Sequence, residues 1–215
     1  MSSHSHDYIP AAGHDRLLRF YDPLTRLLGA DRVRGRLLDA ANVRAGEQVL
    51  DLGCGTGAVS LLLAKRQPEA RIVGLDPDEK ALALAAEKAR AAGATIEWHK
   101  GYAGRAPFPA HSFDHVISSL MIHHLKSEEK QAAFRDVKRL LRPGGRFHLL
   151  DFGPPKSGVE RALTAVFHRD ERVRDNTSGR LPEWLSAAGL ADVREVESHR
   201  TLFGRVSLYS ACVAG

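Results

Sequence analysis

The stretch VLDLGCGTG, Val49 to Gly57, decides how this chain is read. An apolar run leads straight into three glycines within five positions, and the single charge, Asp51, stands just before them. Glycine-rich loops between a strand and a helix bring backbone close to a ligand, most often a phosphate. A Walker A loop requires Gly-Lys-Ser/Thr at its end, whereas Gly57 is followed by Ala58-Val59-Ser60. A dinucleotide fingerprint, G-x-G-x-x-G/A, is formally met by Gly53, Gly55 and Ala58. Asp51 discriminates further: a carboxylate at the lip repels a pyrophosphate and welcomes a cation. S-adenosylmethionine (SAM) has no phosphate and carries an ammonium and a sulfonium, so it fits where a dinucleotide does not. Asp76 closes the next apolar run, about 20 residues past the glycines, where a carboxylate accepts bonds from ribose hydroxyls. The same residue also reads as a helix cap ahead of Pro77 and Asp78.

Outward from this loop, short apolar runs alternate with helical periodicity. Strands are expected at 49–52, 71–76, 95–100, 113–120 and 146–152, with helices at 57–66, 79–92 and 128–141 between them. LRPGG (141–145) reads as a turn. Short apolar strands separated by helices indicate a parallel sheet covered on both faces. After helical stretches at 158–170 and 181–188, the segments 192–204 and 205–214 leave no room for a helix between them and form an antiparallel pair. Ahead of the loop, 31–41 is a helix presenting Val33, Leu37, Leu38 and Ala41 on one face, and 14–28 makes two short helices broken at Pro23. The whole chain, 1–215, reads as one domain: an arm and lid helices over 1–42 and an α/β core over 43–215.

The bulk numbers agree. A chain of 215 residues with 43% hydrophobic content buries a core without staples. Its net charge of +5 is spread along the sequence, so no nucleic-acid partner is expected. The two cysteines, Cys54 and Cys212, form no disulfide framework or zinc spacing, and no metal site is expected. No run reaches membrane-span length, no stable membrane insertion is expected, and the N-terminus lacks the pattern of a secretion signal. These features point to the cytoplasm.

VLDLGCGTG, GLDPD, APFPAHSFDHVISSLMIHHL and LRPGG, in this order and spacing, resemble the class I SAM-dependent methyltransferases, and most of all the type-11 group that includes the ubiquinone and menaquinone C-methyltransferases. The resemblance covers roughly residues 14–152. It implies a Rossmann-like three-layer α/β fold: a seven-stranded, mostly parallel sheet of order 3-2-1-4-5-7-6, strand 7 antiparallel, beneath an N-terminal helical lid. It implies SAM as cofactor, S-adenosylhomocysteine (SAH) as product and a small-molecule methyl acceptor. It assigns the methionine end of SAM to Gly53, Cys54 and Gly55, its ammonium to Asp51, its ribose to Asp76 and the flank of its adenine to Pro77. Tyr102 stands where the family usually has Asp or Asn, and Tyr102 and Ala103 border the adenine. Ser118, Ser119 and Leu120 line the donor pocket, and Tyr21 in the lid reaches the SAM carboxylate, with Tyr8 helping to close the site.

Methyl transfer is an in-line displacement in which the protein aligns the reactants and excludes water. A base is needed only when the acceptor loses a proton. His123 and His124, just past the fourth strand, are the candidates, because histidine is the side chain that exchanges protons near neutrality. A structural role for the pair is the competing reading, and Asp114, at the start of that strand, is structural. The alternatives at the level of function are an NAD(P)-dependent oxidoreductase and a non-catalytic SAM-binding or nucleic-acid-associated protein. The acceptor would meet the segment around 153–180, with Phe167, His168, Arg169 and Trp184.

Overall fold

Successive residues of the central strands divide between two cores. In β1 (Gln48–Leu52), Val49 joins one apolar cluster and Leu50 and Leu52 the other. β2 (Arg71–Asp76) repeats the pattern with Ile72 against Val73 and Leu75, and β4 (Phe113–Ser119) with Ile117 against Val116. This is the two-residue period of strands buried on both faces. The computed structural model describes residues 30–167, 170–201 and 204–215. Its sheet contains seven strands in the order β3-β2-β1-β4-β5-β7-β6, with β3 (Ile96–Lys100), β5 (Leu141–Phe152), β6 (Ala191–Thr201) and β7 (Gly204–Cys212) completing the set. β1 to β5 pair in parallel, and β7 runs antiparallel to both β5 and β6. The expected order and the reversed strand are both present.

One face of the sheet is covered by α1 (Ala30–Ala41) and α2 (Ala58–Arg66), through Leu37, Leu38, Ala41, Val59 and Leu63. The other is covered by α4 (Ser127–Leu140), following α3 (Glu79–Ala91), and by α7 (Leu181–Ala187), through Ala133, Phe134, Val137, Leu140, Leu181 and Leu185. α5 (Gly158–Phe167) and α6 (Glu171–Thr177) lie between β5 and α7 in the chain.

Three local features depart from the sequence reading. The expected turn at 141–145 is a bulge inside one strand: Leu141 pairs with Phe113, and pairing resumes at Arg146 with His115. A Cβ on Gly145 would lie 2.8 Å from the Arg142 carbonyl oxygen, which accounts for the glycine there. A 3-10 turn, Ile122–His124, follows β4. α6 is an additional helix whose buried residues are Val173, Asp175 and Asn176, so no apolar stripe announces it. The expected helices at 14–28, with Tyr8 and Tyr21, lie outside the described residues, as do His168 and Arg169.

Candidate functional site

The carboxyl ends of β1, β2, β4 and β5 converge on one edge, where ligands bind open α/β sheets. The glycine loop leaves β1 here. Gly53 has φ +74°, and a Cβ on it would lie 2.2 Å from Met121 Cγ. Gly55 has φ +52°, and its missing side chain faces open space with nothing within 4 Å. The first glycine admits a neighbouring side chain, and the second leaves backbone open to a ligand.

The loop's amides are largely spent on the protein. Gly53 and Cys54 donate to the Leu75 carbonyl at 2.8 and 3.1 Å, Gly57 donates to the Cys54 carbonyl at 2.9 Å, and Gly55 donates to Asp76 Oδ2 at 2.8 Å. Asp51 Oδ2 accepts from the Ser60 amide at 3.1 Å and from its hydroxyl at 2.6 Å. A helix N-terminus is an anion site, and at α2 a carboxylate of this chain occupies it. A pyrophosphate would find these donors engaged and a negative charge in its place. This geometry opposes the dinucleotide reading more strongly than the presence of Asp51 alone. Burial pushes the Asp51 carboxyl up to about 6, the Ser60 bonds offsetting only part of that cost. Cys54 is buried, and burial holds its thiol well above the usual range, so it acts as small filler rather than as a nucleophile.

Asp76 ends β2 with one oxygen on the Gly55 amide and the other on the Asp78 amide at 2.9 Å. The cap of α3 is Asp78, which accepts from the Lys80 and Ala81 amides, so Asp76 is not spent on a cap. Burial raises the Asp76 carboxyl. Pro77, Tyr102 and Ala103 are half-buried in the adjoining loops. The Arg105 guanidinium lies 4.7 Å from the centroid of the Tyr102 ring, a cation–π contact that fixes the ring. Ser118 is sealed, with its hydroxyl on the Leu52 carbonyl at 2.9 Å, and it joins β4 to β1 rather than offering surface to a ligand. The Ser119 hydroxyl is buried without a partner among the described residues. Leu120 takes φ +53°, unusual for a leucine, and its amide is held by the Leu150 carbonyl at 2.7 Å.

That kink delivers the 3-10 turn. His123 Nδ1 lies 2.8 Å from Asp151 Oδ1, while the His123 amide donates to Asp151 Oδ2 at 3.2 Å. Asp151, on β5, is fully buried. Burial alone would push its carboxyl up; the His123 ring and the amides of Phe152 and His123 outweigh this and hold it below the usual range. An ionised carboxylate has no proton to share, so Nδ1–H donates and Nε2 is left as the basic nitrogen. The His124 ring lies 4.0 Å from that of His123, centroid to centroid, and burial, aided by His123, lowers it to about 4. His124 is therefore neutral at pH 7. Asp151 was absent from the sequence reading. The available signal was an acidic residue ending the strand beside β4, at the edge where sites form.

α6 packs over this turn, held by Lys130 of α4. Lys130 is completely buried, and its Nζ donates to the Arg172 carbonyl, to Asn176 Oδ1 at 2.8 Å and to Asp175 Oδ2 at 3.4 Å. Lys130→Met removes the cation and strands these acceptors, so unfolding free energy should fall by about 3–5 kcal/mol. Urea denaturation measures it, and a loss below about 1 kcal/mol would contradict the latch. Trp184 packs on the core of its own face.

Residues 49–145 match the family described as "Methyltransferase domain". The chain is 40% identical over 150 residues to a demethylmenaquinone methyltransferase of Thermus thermophilus, covering 68% of this chain and 67% of that relative. Among solved structures, the YcgJ protein of Bacillus subtilis superposes with TM-score 0.70 at 21% identity, covering 86% of this chain and 99% of its own. The [4+2]-cyclase SpnF does so with TM-score 0.71 at 20% identity, covering 86% and 81%. These two share the fold alone. The chain belongs to the class I SAM-dependent methyltransferases. It is an enzyme of that class that uses SAM and is similar to the quinone-biosynthesis members, as the sequence motifs implied. No helix among the described residues is long and apolar enough to cross a membrane.

Proposed function

We propose that the chain methylates a small, proton-bearing acceptor of the reduced-quinone (hydroquinone) class, with His123 as base and Asp151 as the residue that orients and supports it. The observation carrying this reading is the 2.8 Å contact between His123 Nδ1 and the buried Asp151 carboxylate, which leaves Nε2 to receive a proton. SAM supplies an electrophilic methyl when bound. The open face at Gly55, the Asp76 carboxylate at the end of β2 and the Asp51 carboxylate suit, in turn, its methionine end, its ribose and its ammonium. Tyr102, Pro77 and Ala103 border the space for the base. Met121 lies against Gly53 two residues before His123, so one short turn ties the donor loop to the proposed base. Taking the acceptor's O–H proton onto Nε2 raises electron density on the ring carbon that attacks the methyl; SAH leaves as the S–CH3 bond breaks, and the methylated carbon then loses its own proton to restore the aromatic ring. The neutral, half-buried His124 adds no competing positive charge. The relative's demethylmenaquinone specificity supports the hydroquinone class.

The test is methyl transfer from labelled SAM to a chemically reduced demethylmenaquinone with a short side chain, read by mass spectrometry. Label in the ring is expected. Label in no quinol, although SAM binds, would remove the acceptor class from this reading.

Asp51 gives a second expectation. It must be ionised to pair with an ammonium, and the ligand-free protein keeps its proton up to about pH 6. SAM affinity should therefore be level above that pH and weaken by up to about tenfold per unit below it. Asp51→Asn should bind more weakly and lose most of this slope. Calorimetry between pH 5 and 7.5 measures both; equal slopes for the two proteins would contradict the ion pair.

A further inference from the structure

We propose that Arg34 anchors the α-carboxylate of SAM, completing with Asp51 a matched pair of opposite charges for the zwitterionic end of that ligand. The inference rests on the SAM reading of the loop and is independent of the acceptor.

The methionine end of SAM presents an ammonium and a carboxylate. Asp51 answers the first, and a cation close by would answer the second more strongly than a neutral donor. Asp51 shares its strand face with Val49, and that face is covered by α1 and α2. Along α1, Leu37 and Leu38 pack into the cluster containing Val49 and Ile117. Arg34 lies one turn before them, on the same face of the helix. α1 ends at Ala41, and the chain enters β1 at Gln48. The C-terminal end of α1 is thus at the amino edge of the sheet, and its earlier turns rise toward the carboxyl edge where Asp51 stands.

The other basic residues of these two helices are exposed. Arg36 pairs with Glu197, and Arg66 binds the Gly35 carbonyl and Asp39. Arg34 is only 6% exposed. Its Nη1 holds Asp31 Oδ1 at 3.2 Å, while Nε is sealed from solvent with no partner among the described residues. Buried donors are normally satisfied, so this orphan calls for an acceptor. A carboxylate bound across the guanidinium fork supplies one. The Arg34 charge already favours the ionised form of Asp51, which places the two side chains within electrostatic reach.

The experiment is calorimetric titration of wild type, Arg34→Gln and Arg34→Lys with SAM and with decarboxylated SAM. Arg34→Gln should bind SAM about 10- to 100-fold more weakly, the loss typical of a hydrogen-bonded charge pair. Measured at pH 8, where Asp51 is ionised with or without the Arg34 charge, its affinity for decarboxylated SAM should stay within about twofold of wild type. Arg34→Lys keeps the charge without the fork and should show a smaller loss, again confined to SAM; it carries the test if the glutamine variant does not fold. Equal losses for both ligands would overturn the proposal, as would an unchanged affinity for SAM. Wild type that binds neither ligand would overturn the SAM reading itself, whereas absent quinol methylation with intact SAM binding leaves this titration fully interpretable.

Discussion

His123→Gln should lower kcat toward a reduced demethylmenaquinone by about 10²- to 10⁴-fold, the range associated with a positioned general base. Its SAM affinity should be unchanged, because no part of His123 contacts the glycine loop or Asp76 in the hydrogen-bond network. Asp151→Asn should also lower kcat, by a factor of up to about 10⁴. Both Asp151 oxygens accept N–H donors, Oδ1 from the His123 ring and the Phe152 amide and Oδ2 from the His123 amide, so an asparagine must turn its NH2 toward one of these donors, and where it faces Nδ1 the ring is held in the wrong tautomer. Steady-state assays at saturating SAM, with thermal melts to confirm folding, measure this. A His123→Gln variant with near-wild-type kcat would return the pair to a purely structural role.

The second large effect concerns stability. His148 on β5 is buried with both ring nitrogens unpartnered among the described residues, and it stacks on His115 at 5.7 Å. His115 places Nε2 3.1 Å from Glu47 and leaves Nδ1 unpartnered. Burial, then the His115 and Arg146 charges, lower His148 to about 3. A histidine whose folded value lies below its unfolded one binds protons more readily in the unfolded chain. Stability is therefore lost as pH falls from about 6.5 toward 3, by about 4–5 kcal/mol in the limit. Asp51 works in the opposite sense, since its carboxyl, raised to about 6, favours the folded state below that pH. The two effects oppose each other in whole-protein curves, so the informative quantity is the difference between wild type and His148→Leu. Relative to that variant, wild type should lose about 4 kcal/mol between pH 7 and pH 3, read by urea denaturation at each pH. A constant difference would show that the pair is hydrated and free to ionise in the fold.

Much of the architecture was legible because strands buried on both faces betray themselves as short apolar runs, and the helices between them as apolar residues every third or fourth position. The reversed final strand was legible from the missing helix between 192–204 and 205–214. The glycine loop, Asp51, Asp76 and the histidine pair were legible because they are locked to local motifs. The features that escaped depend on partners distant in sequence. Asp151 meets His123 from 28 residues away. Lys130, within SEEKQAA, reads as part of a solvated face, and only its bonds to 172–176 reveal a buried ammonium. The burial of Arg34 depends on how α1 lies on the sheet. The charge of Asp51 was legible, its geometry was not. Its charge excludes a phosphate, and the structure adds that one of its oxygens occupies the helix N-terminus a phosphate would have used.

The most direct test of the account is a single-turnover experiment in which enzyme, SAM labelled at the methyl and reduced demethylmenaquinone are mixed and quenched over time, with His123→Gln run in parallel. Label should move into the quinol in wild type, and the transfer step should be slowed at least about a hundredfold in the variant, with SAM equally bound in both. Transfer at the same rate in both proteins would contradict the assignment of the base, and no transfer in either, with SAM bound, would contradict the acceptor.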